Sequence, residues 1–416
     1  MNIKLRLLIL NFLEFFCWGS WLLSIGAYMV TNLKFSGVEV GSVYATLGIA
    51  SVFIPPIIGL ISDRWVGAEK VLGILHLLLS ALFIILSYTS SYGNFYLIAL
   101  LVSSAYMPTL ALNNSISYYN LETKGFDPIK HFPPVRVWGT VGFIIAAWII
   151  DLLGFNITSG QFYLASVSSL ILGLYSFTLP KVPTNKLTNK TMLQRFGLDA
   201  FVLFRQKPLK IFFIFSILLG ASLQVTNIWG VPFLNDFNMA YPDSFAVKHS
   251  VFLMSISQLS EVFFILLIPY FFKRFGIKIV VMMSMTAWVF RFALFGFGAP
   301  EGLGLFFLIL SMFIYGMAFD FYFISGSLFV NNSADSKIRS SAQGLFMMMV
   351  NGIGAVIGAY GSGFIVDFYT KNEIKDWHSI WLTFALYALI ICIGFALLFK
   401  QTKHKIVFNQ SKNLNK

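Results

Sequence analysis

Apolar windows of about 20 residues recur from one end of this sequence to the other, the length an α-helix needs to cross a bilayer. The first is "MNIKLRLLILNFLEFFCWGSWLLSIGAYMV". Backbone N–H and C=O groups in lipid must be satisfied within the protein, which restricts such a chain to a bundle of helices. The composition agrees: of 416 residues, 57% are hydrophobic and 11% charged, too little polar surface for a soluble protein of this size. The opening run has a basic end like a signal peptide, but it is too long for an h-region and carries Glu14, Trp18 and Trp21, so it reads as a retained first helix.

Twelve spans can be marked, at about 5–29, 40–62, 71–89, 94–119, 134–154, 160–179, 210–234, 248–271, 278–298, 303–331, 340–366 and 379–399. The fold class expected is an all-α membrane protein with the lipid bilayer as its main partner. The formal net charge of +12 invites a nucleic-acid reading, but the chain has no basic domain. With the N-terminus inside, the cytoplasmic segments hold 23 of the 29 Lys and Arg residues, and the outer segments hold only Lys34, Lys248, Lys371 and Lys375. That is the positive-inside pattern; it puts both termini in the cytoplasm and argues against a nucleic-acid partner. Cys17 and Cys392 lie within apolar runs and form no CxxC or zinc spacing, so they read as packing residues. Neither metal nor cofactor is expected, and a monomer is.

The longest connection, "PKVPTNKLTNKTMLQRFGLDAFVLFRQKPL", divides the chain. It predicts an N-terminal six-helix bundle (1–180), a cytoplasmic linker (181–209), a C-terminal six-helix bundle (210–400) and a cytoplasmic tail (401–416). Within the linker, "MLQRFGLDAFVLF" could form a short interfacial helix, and the Lys/Asn-rich part before it reads as solvated. Paired signals relate the halves. "GLISDRWVGAEK" follows the second span and "IPYFFKRFGIK" the eighth, while "PVRVWGTVG" opens the fifth and "IRSSAQG" the eleventh. Duplication of six spans is the plan of a rocking transporter, with substrate held between the halves near the midplane.

Five ionisable residues lie deep in spans: Glu14, Arg136, Glu261, Arg291 and Asp320. Each costs about 2.5–3.5 kcal/mol at a helix centre, so together they must face a polar cavity or one another. For Arg291, on the peripheral ninth span, internal ion pairing is the expectation. Asp320 stands alone in "SMFIYGMAFDFYFISGSLFV", where Phe319, Phe321 and Phe323 solvate a carboxylate poorly. Asp151, near an outer helix end, reads as reaching water. His76 is a rival proton carrier, with a satisfied structural histidine as the alternative.

Polar residues fall on shared helix faces near these charges. Gln224 and Asn227 are i,i+3, as are Gln258 and Glu261; Arg136, Thr140 and Phe143 are i,i+4,i+7; Tyr315 and Phe319 are i,i+4. Amides, a carboxylate, a guanidinium and flat rings suit a polyhydroxylated aromatic solute. Ordinary interhelical hydrogen bonding is the plainer reading of any single pair.

"GLISDRWVGAEK" resembles the G-x-x-x-D-R-x-G-R-K turn of the major facilitator superfamily at Gly59, Asp63 and Arg64, although the second Gly and following Arg of that pattern are displaced or missing. Gly59 permits close helix approach, and Asp63 could latch the cytoplasmic side by accepting from a helix N-terminus. Over about residues 5–400 the chain resembles the nucleoside:proton symporter family within that superfamily. The stretches that carry the resemblance include "FFCWGSWLLSIGAYM", "AYMPTLALNNSISYY", "FPPVRVWGTVGFI", "SISQLSEVFFIL", "AWVFRFALF" and "YGMAFDFYFISGS". The resemblance implies proton-coupled nucleoside import across the bacterial cytoplasmic membrane. It places substrate contacts on Arg136, Thr140, Phe143, Gln224, Asn227, Gln258, Glu261, Tyr315 and Phe319, and the proton-coupling carboxylate on Asp320. Two positions depart from the family pattern: Glu14, where a neutral amide is usual, and Phe323, where Asn is usual. Either bears on base preference or proton stoichiometry if it lines the cavity. The rival readings are a sugar or oligosaccharide:proton symporter of the same fold, an intramembrane enzyme using Asp320 and Glu261 as acid and base, and a channel. The channel is disfavoured by the absence of rings of like charge.

Overall fold

Nine helical stretches among the described residues are long and apolar enough to cross a membrane, each closing its own backbone hydrogen bonds as lipid requires. The computed structural model describes residues 2–184, 196, 198–335 and 338–399. In chain order the main helices are α1 (Ile3–Gly19), α2 (Ile25–Thr31), α3 (Gly37–Arg64), α4 (Ala68–Ser87), α5 (Tyr92–Thr123), α6 (Pro128–Leu152) and α7 (Gly160–Ser176). A 3-10 segment, Leu198–Arg205, leads to α8 (Lys207–Asn235), α9 (Ser250–Gly296), α10 (Gly302–Ser333), α11 (Arg339–Met347), a π-helical turn (Met348–Gly354), α12 (Ala355–Phe368) and α13 (Trp377–Leu398). A two-residue antiparallel hairpin pairs Thr370 with Lys375 just before α13. Asp376 caps α13 by accepting from the hydroxyl and the N–H of Ser379, and those bonds hold its carboxyl below the usual carboxylate range.

Four stretches depart from the simple spans read in the sequence. The first, expected at 5–29, breaks between α1 and α2. Ser24 there donates to Gln161 Oε1 at 2.8 Å, and the Tyr44 hydroxyl donates to the Leu22 carbonyl at 2.8 Å, so polar groups freed by the break find protein partners. The spans expected at 248–271 and 278–298 form one 47-residue stretch, α9, that turns at Gly276 (φ 73°, ψ 174°); glycine alone takes that conformation cheaply. The span expected at 340–366 is α11 and α12 with the π turn inserted. The helix expected from 134 begins earlier, at Pro128, and carries Pro133 and Pro134 within it. In the linker, the expected interfacial helix is a 3-10 segment over Leu198–Arg205. The Lys/Asn-rich stretch at 185–195 and the tail at 401–416 lie outside the described residues.

Outward faces are apolar, as lipid demands: Leu266, Leu397, Phe306 and Phe53 are all exposed. Inside, α1 packs on α6 and α7, α4 on α5 and α7, and α3 on α5. Both arms of α9 pack in the second set, where α9 contacts α10 and α13. The two sets meet along a seam of small residues. A Cβ on Gly26 would strike the Ile228 carbonyl; on Gly37, the Gly363 carbonyl; on Gly41, the Ala359 carbonyl; and on Gly48, the Gly352 carbonyl. Without a hydrophobic force between helices in lipid, such close approach supplies the contact. A side chain in this seam is therefore expected to prop it open. Gly41→Val should destabilise the detergent-purified protein by about 1–3 kcal/mol through overpacking, read as a lower thermal midpoint, while the same change at Gly59, whose Cβ position is open space, should leave the midpoint unchanged.

Candidate functional site

A cavity of about 830 Å³ lies between the two sets of helices. It reaches the end of the molecule that carries α1's first turn and α13's last, where Gly59, Asp63, Phe196, Ser341 and Gly344 line it. Added Cβ atoms on Gly59 and Gly344 would meet open space. The close approach expected of Gly59 is thus not made in this conformation, because the two sets are parted at that end.

The opposite end is closed by two carboxylate clasps. Asp367, at the end of α12, accepts from the N–H groups of Gly37 (2.5 Å) and Val38 (2.8 Å) at the start of α3. Asp151, at the end of α6, accepts from the N–H groups of Val251 (3.0 Å) and Phe252 (3.2 Å) at the start of α9, and sits 2.6 Å from His249 Nδ1. First-turn N–H groups have no partner within their helix and carry the positive end of its dipole, so an anion from a neighbouring helix satisfies both. Asp151, expected to reach water, is instead buried against these groups. Trp148 reinforces its clasp by donating to Ser255 Oγ at 2.9 Å.

All nine residues singled out as substrate contacts line the one cavity: Arg136, Thr140 and Phe143 from α6; Gln224 and Asn227 from α8; Gln258 and Glu261 from α9; Tyr315 and Phe319 from α10. Local packing fixes their directions. A Cβ on Gly19 would strike the Phe143 carbonyl and one on Gly142 the Phe12 carbonyl, so α1 and α6 cross closely and hold Phe143 at the wall. The Arg136 guanidinium lies 3.7 Å from the centre of the Phe15 ring, a cation–π contact. Glu261 has Tyr315 and Gln258 as polar neighbours and Arg136 and Arg291 as electrostatic partners. Tyr315 and Phe319 lie nearly parallel, with centroids 5.9 Å apart.

Asp320 does not line the cavity. It is buried on α10 beside Phe319, its Oδ2 has no hydrogen-bond partner, and Glu261 is its acidic neighbour. Phe323 is also outside the lining; it extends the ring stack, 5.2 Å from Phe319. Arg291 was expected in an ion pair. Its NH1 donates to the Ser311 carbonyl at 2.7 Å, and its guanidinium lies 4.5 Å from the Tyr315 ring centre, so a carbonyl and a π face shelter the charge. Glu14 and His76, read separately in the sequence, are bonded to each other, 3.0 Å apart and fully buried.

The sequence reading missed Trp18, Ser51, Asn114 and Asn351 in the lining. Asn114 falls inside "AYMPTLALNNSISYY", where a single amide gives no periodic signal. Asn351 sits on the π turn, whose extra residue per turn turns it away from the α-helical register.

A polar, aromatic-walled cavity between membrane-crossing helices, closed at one end and reached from the other, defines a solute transporter, and the helix order is major-facilitator-like. A sequence model described as "Nucleoside H+ symporter" matches residues 1–404. Xanthosine permease of Escherichia coli is 47% identical, covering 98% of this chain and all of that protein. Nucleoside permease NupG of the same organism is also 47% identical, covering 96% of each chain. A crystal structure of a NupG mutant superposes with a TM-score of 0.93 over 96% of this chain and all of that one. The chain belongs to the nucleoside H+ symporter family.

The clasps give a test independent of transport. Asp367→Ala leaves two first-turn N–H groups without their anion, and hydrogen bonds to a charged group contribute about 1.5–3 kcal/mol. The variant is expected to melt earlier in detergent by that margin. A Val38→Cys probe should react faster with an impermeant maleimide when combined with Asp367→Ala; equal labelling would show that the clasp does not hold this end shut.

Proposed function

We propose that this chain imports nucleosides with a proton across the bacterial cytoplasmic membrane by alternating access, through twelve spans in two six-helix bundles with both termini in the cytoplasm. Several features support the span count. Of the nine long apolar stretches, α9 is two helices joined at Gly276. The broken α1–α2 unit and the 17-residue α7 complete the set. In this numbering the end of the fifth span clasps the start of the eighth, and the end of the eleventh clasps the start of the second, a reciprocity that a duplicated six-helix unit generates. The bundles then run 1–180 and 210–400, with the linker on the cytoplasmic side. The cavity faces the cytoplasm in this conformation, and Asp63 is a cytoplasmic latch for the opposite one.

The observation that carries the reading is the convergence of all nine polar and aromatic candidates on one cavity between the bundles. Phe143 and Phe319 offer flat walls for a base, and Gln224, Asn227, Gln258 and Glu261 offer donors and acceptors for ribose hydroxyls. Asp320 couples the proton. As an anion it would be a poorly solvated charge with an unpartnered oxygen beside a second carboxylate, Glu261. A proton from outside removes that charge and the repulsion, leaving Glu261 to engage Arg136 and substrate. Substrate and proton thus favour the same occluded state, which is all that coupling needs. The halves rock, the clasps re-form, and the more alkaline cytoplasm takes the proton.

Two outcomes are expected in proteoliposomes. Asp320→Asn should bind nucleoside and exchange it across the membrane yet fail to concentrate it under an imposed pH gradient; a variant that still accumulates places the proton elsewhere. Phe143→Ala should weaken nucleoside binding about tenfold or more, since stacking contributes about 1–3 kcal/mol per base, and unchanged affinity in detergent would remove Phe143 from the site.

A further inference from the structure

We propose that Glu14, His76 and Thr109 form a second proton-binding site, distinct from Asp320 and lodged in the wall of the N-terminal set of helices. The inference rests on the proton-coupled reading above and adds a carrier to it.

The argument is a count of hydrogens. Glu14 on α1, His76 on α4 and Thr109 on α5 are all fully buried. Glu14 Oε2 lies 3.0 Å from His76 Nε2, and Glu14 Oε1 lies 2.6 Å from Thr109 Oγ1. The same Thr109 Oγ1 lies 2.6 Å from the Tyr106 carbonyl oxygen. A threonine hydroxyl has one hydrogen to give. Given to Glu14, it leaves the Thr109 and Tyr106 oxygens 2.6 Å apart with nothing between them. Given to the Tyr106 carbonyl, it leaves the Glu14 contact in need of a hydrogen, and only a protonated Glu14 can supply it. The protonated carboxyl then donates to Thr109, and Thr109 donates to the carbonyl.

His76 fits the same state. A neutral imidazole donates Nε2–H to Glu14 Oε2 and leaves Nδ1 as a bare acceptor, and Nδ1 is indeed buried without a partner. A doubly protonated ring would bury an unpaired N–H on a cation, the more costly group. The site can also release its proton. The Thr109 hydroxyl then turns from the carbonyl to the new carboxylate, which keeps the His76 bond and gains the attraction of Arg136 on α6, already within electrostatic reach. The other titratable groups facing Glu14 are Tyr106, whose hydroxyl donates to the Glu14 backbone carbonyl at 3.0 Å, and Cys17, held by Ser169 of α7.

The pair is close to the transport path. Phe15 and Trp18, one and four residues beyond Glu14, line the cavity, and Trp18 stacks on Tyr106 with centroids 4.4 Å apart. Arg136, which lines the cavity and rests on Phe15, joins the two environments. Movement of this aromatic layer as the bundles rock would open Glu14 to water in the cavity, and the charge left behind would be sensed at Arg136.

The test measures charge moved per uridine in proteoliposomes and the infrared C=O band of neutral carboxyl groups in the purified protein. Glu14→Gln is expected to keep uridine uptake, to lower the charge moved per uridine to about half, one of two titrating carboxyls being gone, and to delete one neutral-carboxyl band. An unchanged charge ratio, or a band pattern identical to the wild type, overturns the proposal. Should Glu14→Gln fail to fold, His76→Gln keeps Glu14 while altering its donor: the band is then expected to shift in frequency, and an unshifted band overturns the proposal. Absence of uridine-evoked charge movement in the wild type would count against the transport reading instead, and the infrared comparison would still decide the state of Glu14.

Discussion

The constraint on which this architecture depends is the pairing of helix first-turn N–H groups with carboxylates from the opposite set of helices. Asp367 of α12 and Asp151 of α6 accept from first-turn N–H groups of α3 and α9 that those helices cannot satisfy themselves. Supplying them from the opposite set ties the two sets together at that end. The glycine seam lets the backbones come close enough for the carboxylates to reach. With one end thus fastened, the opening between the two sets is confined to the other, and the polar cavity follows.

The same economy governs the interior charges. Among the described residues, several buried ionisable groups are sheltered from hydrocarbon by polar or aromatic neighbours. Arg291 is sheltered by a carbonyl and two aromatic faces, Arg136 by the Phe15 ring, and Glu14 by a histidine and a threonine. Asp320 differs in kind, since its Oδ2 has no partner and its charged neighbour is a second carboxylate, Glu261. An acid that the fold leaves short of fixed donors is suited to exchange a proton, whereas the clasp carboxylates are bonded to backbone N–H groups and serve to fasten helices. The contrast between Asp320 and the two clasp carboxylates makes the point within one chain: Asp151 and Asp367 each accept from two backbone N–H groups, and Asp320 Oδ2 has no donor.

Much of the candidate site was legible from helical spacing. Gln224 with Asn227, Gln258 with Glu261, and Arg136 with Thr140 and Phe143 were each assigned to one face, and each face lines the cavity, because the 3.6-residue repeat fixes which side chains share a direction. Where the repeat is interrupted the reading failed. Asn351 on the π turn, the break after Gly19 and the fused stretch around Gly276 all lie at departures from regular helix. Asp151 was misjudged for another reason: its partners are backbone N–H groups a hundred residues away, which leave no trace in residue type.

The sequence by itself determined the solvent, the helical class, the alternation of cations along the chain and the set of polar residues too costly to face lipid. Those properties are sums over single residues or short windows, and hydrocarbon penalises each independently. Tertiary structure alone decided which of those residues meet. It joined Glu14 to His76 across 62 positions, set Asp320 behind the cavity wall and not on it, placed Phe323 in a ring stack, and closed one end of the cavity and not the other. Such pairings depend on how helices cross, and crossing is fixed by close packing between distant segments, which no local pattern encodes.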